Sequence, residues 1–259
     1  MNILDKIIES KRRSLKEKKD WFSIKKLEAS PYFERECESL VKRLDEIDTT
    51  GIIAEFKRRS PSKGIINDRA KIEEVVSAYE NYGAAGISIL TDEDFFGGNN
   101  SDLMEARETV TVPLLRKDFI IDEYQIAEAK SIGADVILLI AACLTPKEVK
   151  QLAAVARTLG LEILLELHDE KELDHICDEI DIVGINNRNL KTFEVNIERS
   201  LRMAEKIPAN KIKIAESGIS SVENIRLFKE NGFKGFLIGE NFMKEADPGK
   251  AFEEFVSGL

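Results

Sequence analysis

The chain is poor in the residues that most often signal metal, redox or secreted chemistry. Its 259 residues include three cysteines and two histidines. Cys37, Cys143 and Cys177 are scattered and odd in number, with no CxxC pair, so neither a disulfide framework nor a cysteine zinc site is suggested. His168 and His175 fall in no HExxH pattern, and no metal site is expected. No apolar run approaches the roughly 20 residues of a membrane span. The opening stretch, MNILDKIIESKRRSLKEKKD, is too charged for a signal peptide. A cytoplasmic location with no membrane partner is expected. Positive charge is also in deficit: 38 Lys and Arg stand against 48 Asp and Glu, for a net charge of −10. That argues against nucleic acid as a partner, which wants a basic footprint, but leaves room for a local cluster of donors around an anion. Neither GxGxxG nor GxxxxGK[ST] occurs, so the nucleotide fingerprint of a doubly wound sheet is missing.

What is present is repetition. From about residue 51, apolar runs of four to six residues alternate with polar turns and amphipathic segments. The runs are GIIAEFK, GISILT, VPLLRKDF, DVILLIAA, LEILLEL, DIVGINN, IKIAES and GFLIG. Strands alternating with helices imply βαβ units and a parallel sheet. Helix starts are marked by capping-box spacing at Thr145–Glu148, Asp169–Glu172 and Ser220–Glu223, and more weakly at Asp122–Gln125. Gly83, Gly133, Gly160 and Gly232 sit where helices should end in a left-handed turn. Eight such units in about 210 residues match a (β/α)8 TIM barrel. Residues 1–49 precede the first strand. There Ile3, Leu4, Ile7, Ile8 and Leu15 share a helical face, as do Tyr32, Phe33, Cys37, Leu40, Val41 and Leu44. The expectation is one domain over 1–259, in which 1–49 forms a helical extension packed on the barrel. Trp21 is assigned to core or amino-terminal packing.

Charges fall at one end of the strands. In IIAEFK, alternation puts Ile53, Glu55 and Lys57 on one face and Ala54 and Phe56 on the other. The first face would look into the barrel near the carboxyl-terminal mouth, where barrel enzymes place their chemistry. Lys117, Glu166, Asn186 with Arg188, and Glu216 end four further strands in the same way. One inward charge could be a structural ion pair; five strands ending so are hard to explain by structure alone. Facing one another, the lysines and carboxylates would titrate as a coupled set and could act as general acids and bases. ESGIS and IGENF follow the last two runs, where barrels often cradle phosphate on backbone N–H groups, and Gly218 and Gly239 would allow close approach. Phe95 and Phe96, in a loop rich in Gly and Asn, and Phe119 could either fold onto the core or wall an aromatic substrate. His168, between Glu166 and a helix start, is assigned a capping or loop role.

The motifs IIAEFKRRSPSKG, SILTDEDFFGG, LLRKDFI, LLELHDE, GINNRNL, AESGI and LIGENFM, in that order over residues 52–243, resemble the indole-3-glycerol-phosphate synthase family of tryptophan biosynthesis. The resemblance implies a cofactor-free reaction on a small phosphorylated substrate, 1-(2-carboxyphenylamino)-1-deoxyribulose 5-phosphate, which closes a ring and loses CO2 and water. It implies Lys117 as general acid, Glu166 as a catalytic carboxylate with Glu55 as its partner, Lys57 as the cation for the substrate carboxylate, and Asn186 as the residue that orients hydroxyls. It also implies a phosphate site of Ser60, Arg188, Gly218 and Gly239, with Lys57 nearby, an anthranilate wall of Phe96 and Phe119, and Glu216 and Ser217 lining the cavity. The dehydration step could fall to Lys57 with Glu55 or to Lys117 with Glu166. The chain departs from the family at Asn187, where Ser or Thr is frequent. It also carries Glu240 beside the proposed phosphate glycine, where a carboxylate would repel phosphate unless it points away. A monomer able to dock on other enzymes of the pathway is expected. The rivals are another sugar-phosphate barrel enzyme, a Schiff-base aldolase using Lys117, and a non-catalytic phosphate-ligand barrel.

Overall fold

The computed structural model describes residues 3–188 and 194–259. The last two residues of the GINNRNL motif, Asn189 and Leu190, lie outside them. Eight parallel strands close into a barrel: β1 (Ile52–Phe56), β2 (Gly86–Leu90), β3 (Leu114–Lys117), β4 (Val136–Ile140), β5 (Glu162–Leu167), β6 (Ile182–Asn186), β7 (Ile212–Glu216) and β8 (Gly235–Ile238). Each strand pairs with the next, and β8 returns to β1 through Ile52↔Phe236. Between them lie helices such as Ile72–Asn81 and Pro146–Thr158. The latter begins on Thr145, whose side chain completes a capping box with Glu148 behind Pro146. Gly83, Gly133, Gly160 and Gly232 all take positive φ at helix ends. The cap expected at Ser220 sits one residue later: Ser221 accepts from the Asn224 amide. Among the described residues no helix is long and apolar enough to cross a membrane.

Strand alternation separates two apolar layers. Ala54, Phe56, Ile87, Ile89, Ile163, Leu165 and Ile185 face the surrounding helices. Ile53, Leu115, Leu138, Leu164, Ile182, Ile214 and Leu237 fill the barrel interior. The inward positions one pleat further along are Glu55, Lys117, Glu166, Gly184 and Glu216. The same period that packs the interior therefore stacks a charged layer on top of an apolar one.

The amino-terminal segment contacts both ends of the barrel. Helix α1 (Ile3–Trp21) lies at the mouth, where Ile3, Leu4 and Ile7 line the cavity. Lys11 holds it there, at 3.0 Å from Asp92 and 2.6 Å from Asp118, while Lys18 reaches Glu128 at 3.2 Å. Both Asp118 and Glu128 pair in turn with the fully buried Arg116 of β3. Helix α2 (Ile24–Glu28) packs on the helix Glu123–Ser131. Helix α3 (Leu40–Asp45) closes the floor, with Leu40 and Leu44 buried in the interior cluster. Trp21 is not packed: it stands 83% exposed at the end of α1, because the apolar stripe that docks the helix runs through Ile7 and Leu15.

Candidate active site

Five strand ends converge on one cavity of about 1100 Å³. Lys117 Nζ lies 3.0 Å from Glu166 Oε2 and 3.3 Å from Glu216 Oε2. On the β1 side Lys57 Nζ lies 2.5 Å from Glu55 Oε1. Asn186 donates from Nδ2 to Glu166 Oε1 at 2.9 Å, and its own Oδ1 accepts from the Arg188 amide at 3.0 Å. Two glycines make this crowding possible. A Cβ on Gly184 would fall 2.2 Å from Glu216 Oε1, and one on Gly239 would fall 2.5 Å from Glu55 Oε1. Gly239 thus has a packing reason of its own, leaving room for the β1 carboxylate.

Burial and proximity set opposite protonation tendencies within this layer. Burial works against a charge on Lys117, but Glu166, Glu216 and Glu55 outweigh it and hold the lysine as a cation, with its pKa raised. Burial likewise opposes an anion at Glu166, yet Lys117, His168 and Asn186 keep it ionised, with its pKa lowered. Glu216 goes the other way. Burial and repulsion from Glu166 exceed the help from Lys117, and its pKa is pushed up to about 7. Its second oxygen, Oε1, is buried with no hydrogen-bond partner among the described residues. A carboxylate that titrates near neutrality beside a lysine is suited to passing a proton to it.

The remaining candidates line the same cavity. Phe96 and Phe119 stack 6.0 Å apart in a tilted pair at one wall. Ser60 belongs to a short hairpin, Arg59–Ser60 with Gly64–Ile65, that reaches the rim. At the opposite side Ser217 and Gly218 both take positive φ, 66° and 70°. Ser217 is the one non-glycine residue in that region among those described, the kind of strain that is held where a site needs it. Asn187 is fully buried and donates to the Ser217 carbonyl at 2.8 Å, bracing this turn. Glu240 does not point away. Its carboxylate lies 3.7 Å from Arg188 and 3.4 Å from Lys63, so it neutralises the cations at this rim.

His168 lies in the loop after β5, as expected, but it does not cap the helical turn that follows. The cap is made by Asp169 with Glu172, while the His168 ring turns inward and sets Nε2 2.9 Å from Glu166 Oε1. Alternation could have flagged it, since residue 168 shares the parity of Glu166. Its place beyond the strand end left that parity unenforced. Lys63 was also missed, because a hairpin tip carries no period from which to read direction.

Comparison with known proteins places the chain in one family. The family described as Indole-3-glycerol phosphate synthase matches residues 4–255. The indole-3-glycerol phosphate synthase of Bacteroides thetaiotaomicron is 47% identical over 258 residues, covering 100% of this chain and 99% of the relative. That of Polaromonas naphthalenivorans is 39% identical over 257 residues, covering 98% of each. Among solved structures, a chain from the tryptophan synthase a2b2 complex of Pyrococcus furiosus superposes with a TM-score of 0.60 at 16% identity, over 81% of this chain and 98% of that one. The 3-hexulose-6-phosphate synthase of Salmonella typhimurium superposes at 0.64 and 12% identity, over 80% and 97%. Those two likenesses concern the barrel fold alone.

Proposed function

Because the chain belongs to the indole-3-glycerol phosphate synthase family, we propose that it converts 1-(2-carboxyphenylamino)-1-deoxyribulose 5-phosphate into indole-3-glycerol phosphate, with Lys117 as the general acid. The observation that carries this reading is the position of Lys117 Nζ, 3.0 Å from Glu166 and 3.3 Å from Glu216 in the cavity shared with Lys57 and Glu55. In the reaction the ring carbon that bears the carboxylate attacks the ketone carbon. The ketone oxygen takes a proton and becomes a hydroxyl, and the carboxylate leaves as CO2. The hydroxyl takes a second proton and leaves as water while the carbon beside nitrogen gives one up. The site must therefore deliver two protons to oxygen, remove one from carbon and hold two anionic groups.

Each task has a residue suited to it. Lys117, kept as a cation, donates to the ketone oxygen, and Glu216, titrating at about 7, returns a proton to the lysine. Glu166, kept ionised, is the base nearest that lysine. Lys57 takes the substrate carboxylate by exchanging its contact with Glu55. Both lysine–carboxylate pairs are equipped for the dehydration. The phosphate goes to Arg188, Ser60 and the Ser217–Gly218 turn, displacing Glu240 from Arg188. Phe96 and Phe119 wall the aromatic ring, and Asn186 orients the hydroxyls.

The charge state of Lys117 disfavours the Schiff-base rival, since attack on a carbonyl needs a neutral amine. Borohydride should therefore trap no adduct. The decisive experiment follows indole fluorescence on incubation with the carboxyphenylamino substrate in metal-free buffer. Product formation without added cofactor is expected. No product, or product only on addition of a metal ion, overturns the proposal.

A further inference from the structure

Glu166 is gripped from both of its oxygens. Oε2 meets Lys117 at 3.0 Å, while Oε1 meets Asn186 and His168, each at 2.9 Å. The His168 side chain is 8% exposed and sits against the cavity wall. Behind it stands a second carboxylate. Glu172 Oε2 accepts from the His168 amide at 2.6 Å and lies 3.9 Å from His168 Nδ1. The ring is therefore set between Glu166 at Nε2 and Glu172 at Nδ1. Nε2 lies within hydrogen-bond distance of Glu166, though not in line with it, while Nδ1, at 3.9 Å, faces Glu172 as a charge partner only. A neutral imidazole offers a proton to only one of the two carboxylates, whereas an imidazolium offers one to each.

We infer that His168 is a positioning residue of the reaction: as an imidazolium held between Glu166 and Glu172, it keeps Glu166 ionised and aimed at Lys117. The inference rests on the reading of Lys117 and Glu166 as the acid–base pair. The groups that face the ring are Glu166 from β5, Glu172 from the helical turn Glu170–His175 that follows, Glu216 from β7 and, beyond Glu166, Lys117 from β3. The nearby Cys143 thiol is pushed up to about 12, by burial first and then by Glu166 and Glu172, and stays neutral. Burial opposes a charge on His168, but Glu166, Glu172 and Glu216 prevail and its pKa is raised. A raised pKa means that the clamp is present below the folded-state midpoint and is lost as pH rises through it.

Two measurements test this. With His168 and His175 the only histidines, imidazole carbon-bound protons give two NMR titration curves, assigned with His168→Asn. The His168 midpoint should lie above the ordinary value of about 6.5 and fall in Glu166→Gln and in Glu172→Gln. The second measurement is the ratio of wild-type to His168→Asn kcat across pH. It should be roughly tenfold on the acid side, as for loss of one contact to a charged group, with KM within about twofold. It should shrink toward unity above the midpoint seen by NMR. If His168→Asn does not fold, Glu172→Gln carries the kinetic arm, since it lowers the midpoint without removing any group in contact with Lys117. A ratio that ignores pH, or a His168 curve at the ordinary value that ignores Glu166→Gln, overturns the inference. Absent wild-type turnover sinks the ring-closure reading instead, and the NMR curves then decide the clamp.

Discussion

Replacing Lys117 by methionine keeps the unbranched apolar stem of the side chain, one atom shorter, and removes its charge. In the native site that charge lies 3.0 Å from Glu166 and 3.3 Å from Glu216, and it is also felt by Glu55. Its side chain is only 14% exposed, so solvent screens it little. Breaking a buried pair by removing one partner costs about 3–5 kcal/mol. The lower end applies here, because Glu216 already titrates at about 7 and relieves the excess by taking a proton. Loss of a positioned general acid lowers the rate roughly 10²–10⁴-fold, or about 3–5 kcal/mol in the barrier. The two effects separate by pH. Native Glu166 has a lowered pKa, so its stabilisation is present above the unfolded carboxylate value and fades as pH falls through the folded one. Without Lys117 the largest of the contacts that favour the Glu166 anion is gone and only His168 and Asn186 still oppose its burial, so the variant's deficit is greatest near neutral pH and narrows in acid. Urea unfolding from pH about 4 to 8 reads the first effect and indole fluorescence the second. A folded Lys117→Met enzyme that keeps turnover within about tenfold of the parent refutes the assignment of the general acid.

Three further outcomes follow from the same geometry. Gly184→Ala puts a methyl 2.2 Å from Glu216 Oε1, and thermal melts should show a loss of about 1–3 kcal/mol together with an altered pH–rate profile as Glu216 leaves Lys117. Lys11→Met removes the contacts at 3.0 Å and 2.6 Å that pin α1 to Asp92 and Asp118. It should raise KM, because Ile3, Leu4 and Ile7 line the cavity. It should also flatten the acid loss of stability that Asp118 gives the parent: burial opposes the Asp118 anion, but Lys11 and Arg116 hold its pKa down, so that stability is present above the unfolded Asp value and disappears as pH falls. An unchanged KM would argue that α1 does not shape the bound state. Arg188→Ala should raise KM roughly tenfold or more with kcat little changed, as for uniform binding of a remote phosphate, and should weaken inhibition by inorganic phosphate. An effect on kcat alone would move Arg188 out of the phosphate site.

Much of the site was readable from strand alternation because inward direction is a local property. In LEILLEL the period of two makes Leu164 and Glu166 neighbours on one face, and the same parity selects Glu55, Lys117 and Glu216. Helix stops were equally local, as at Gly83 and Gly160, where a left-handed turn needs no distant partner. The exposure of Trp21 and the inward turn of the His168 ring were missed for a shared reason. Each residue lies at or beyond the end of its element, where contacts with distant segments, and not the period, decide direction.

Sequence alone determined that eight strands would alternate with helices and that five of them would carry polar groups inward at the same end. Those are consequences of periodicity and backbone preference. Only the closed barrel decided that Lys117 meets Glu166 and Glu216, residues 49 and 99 positions away. Closure also decided that Gly184 and Gly239 vacate the space two carboxylates occupy, that α1 reaches the mouth while α3 fills the floor, and that Glu216 protonates near neutrality. Those properties depend on distance and burial in three dimensions, and electrostatic energy in a poorly solvated cavity varies too steeply with both to be read along a chain.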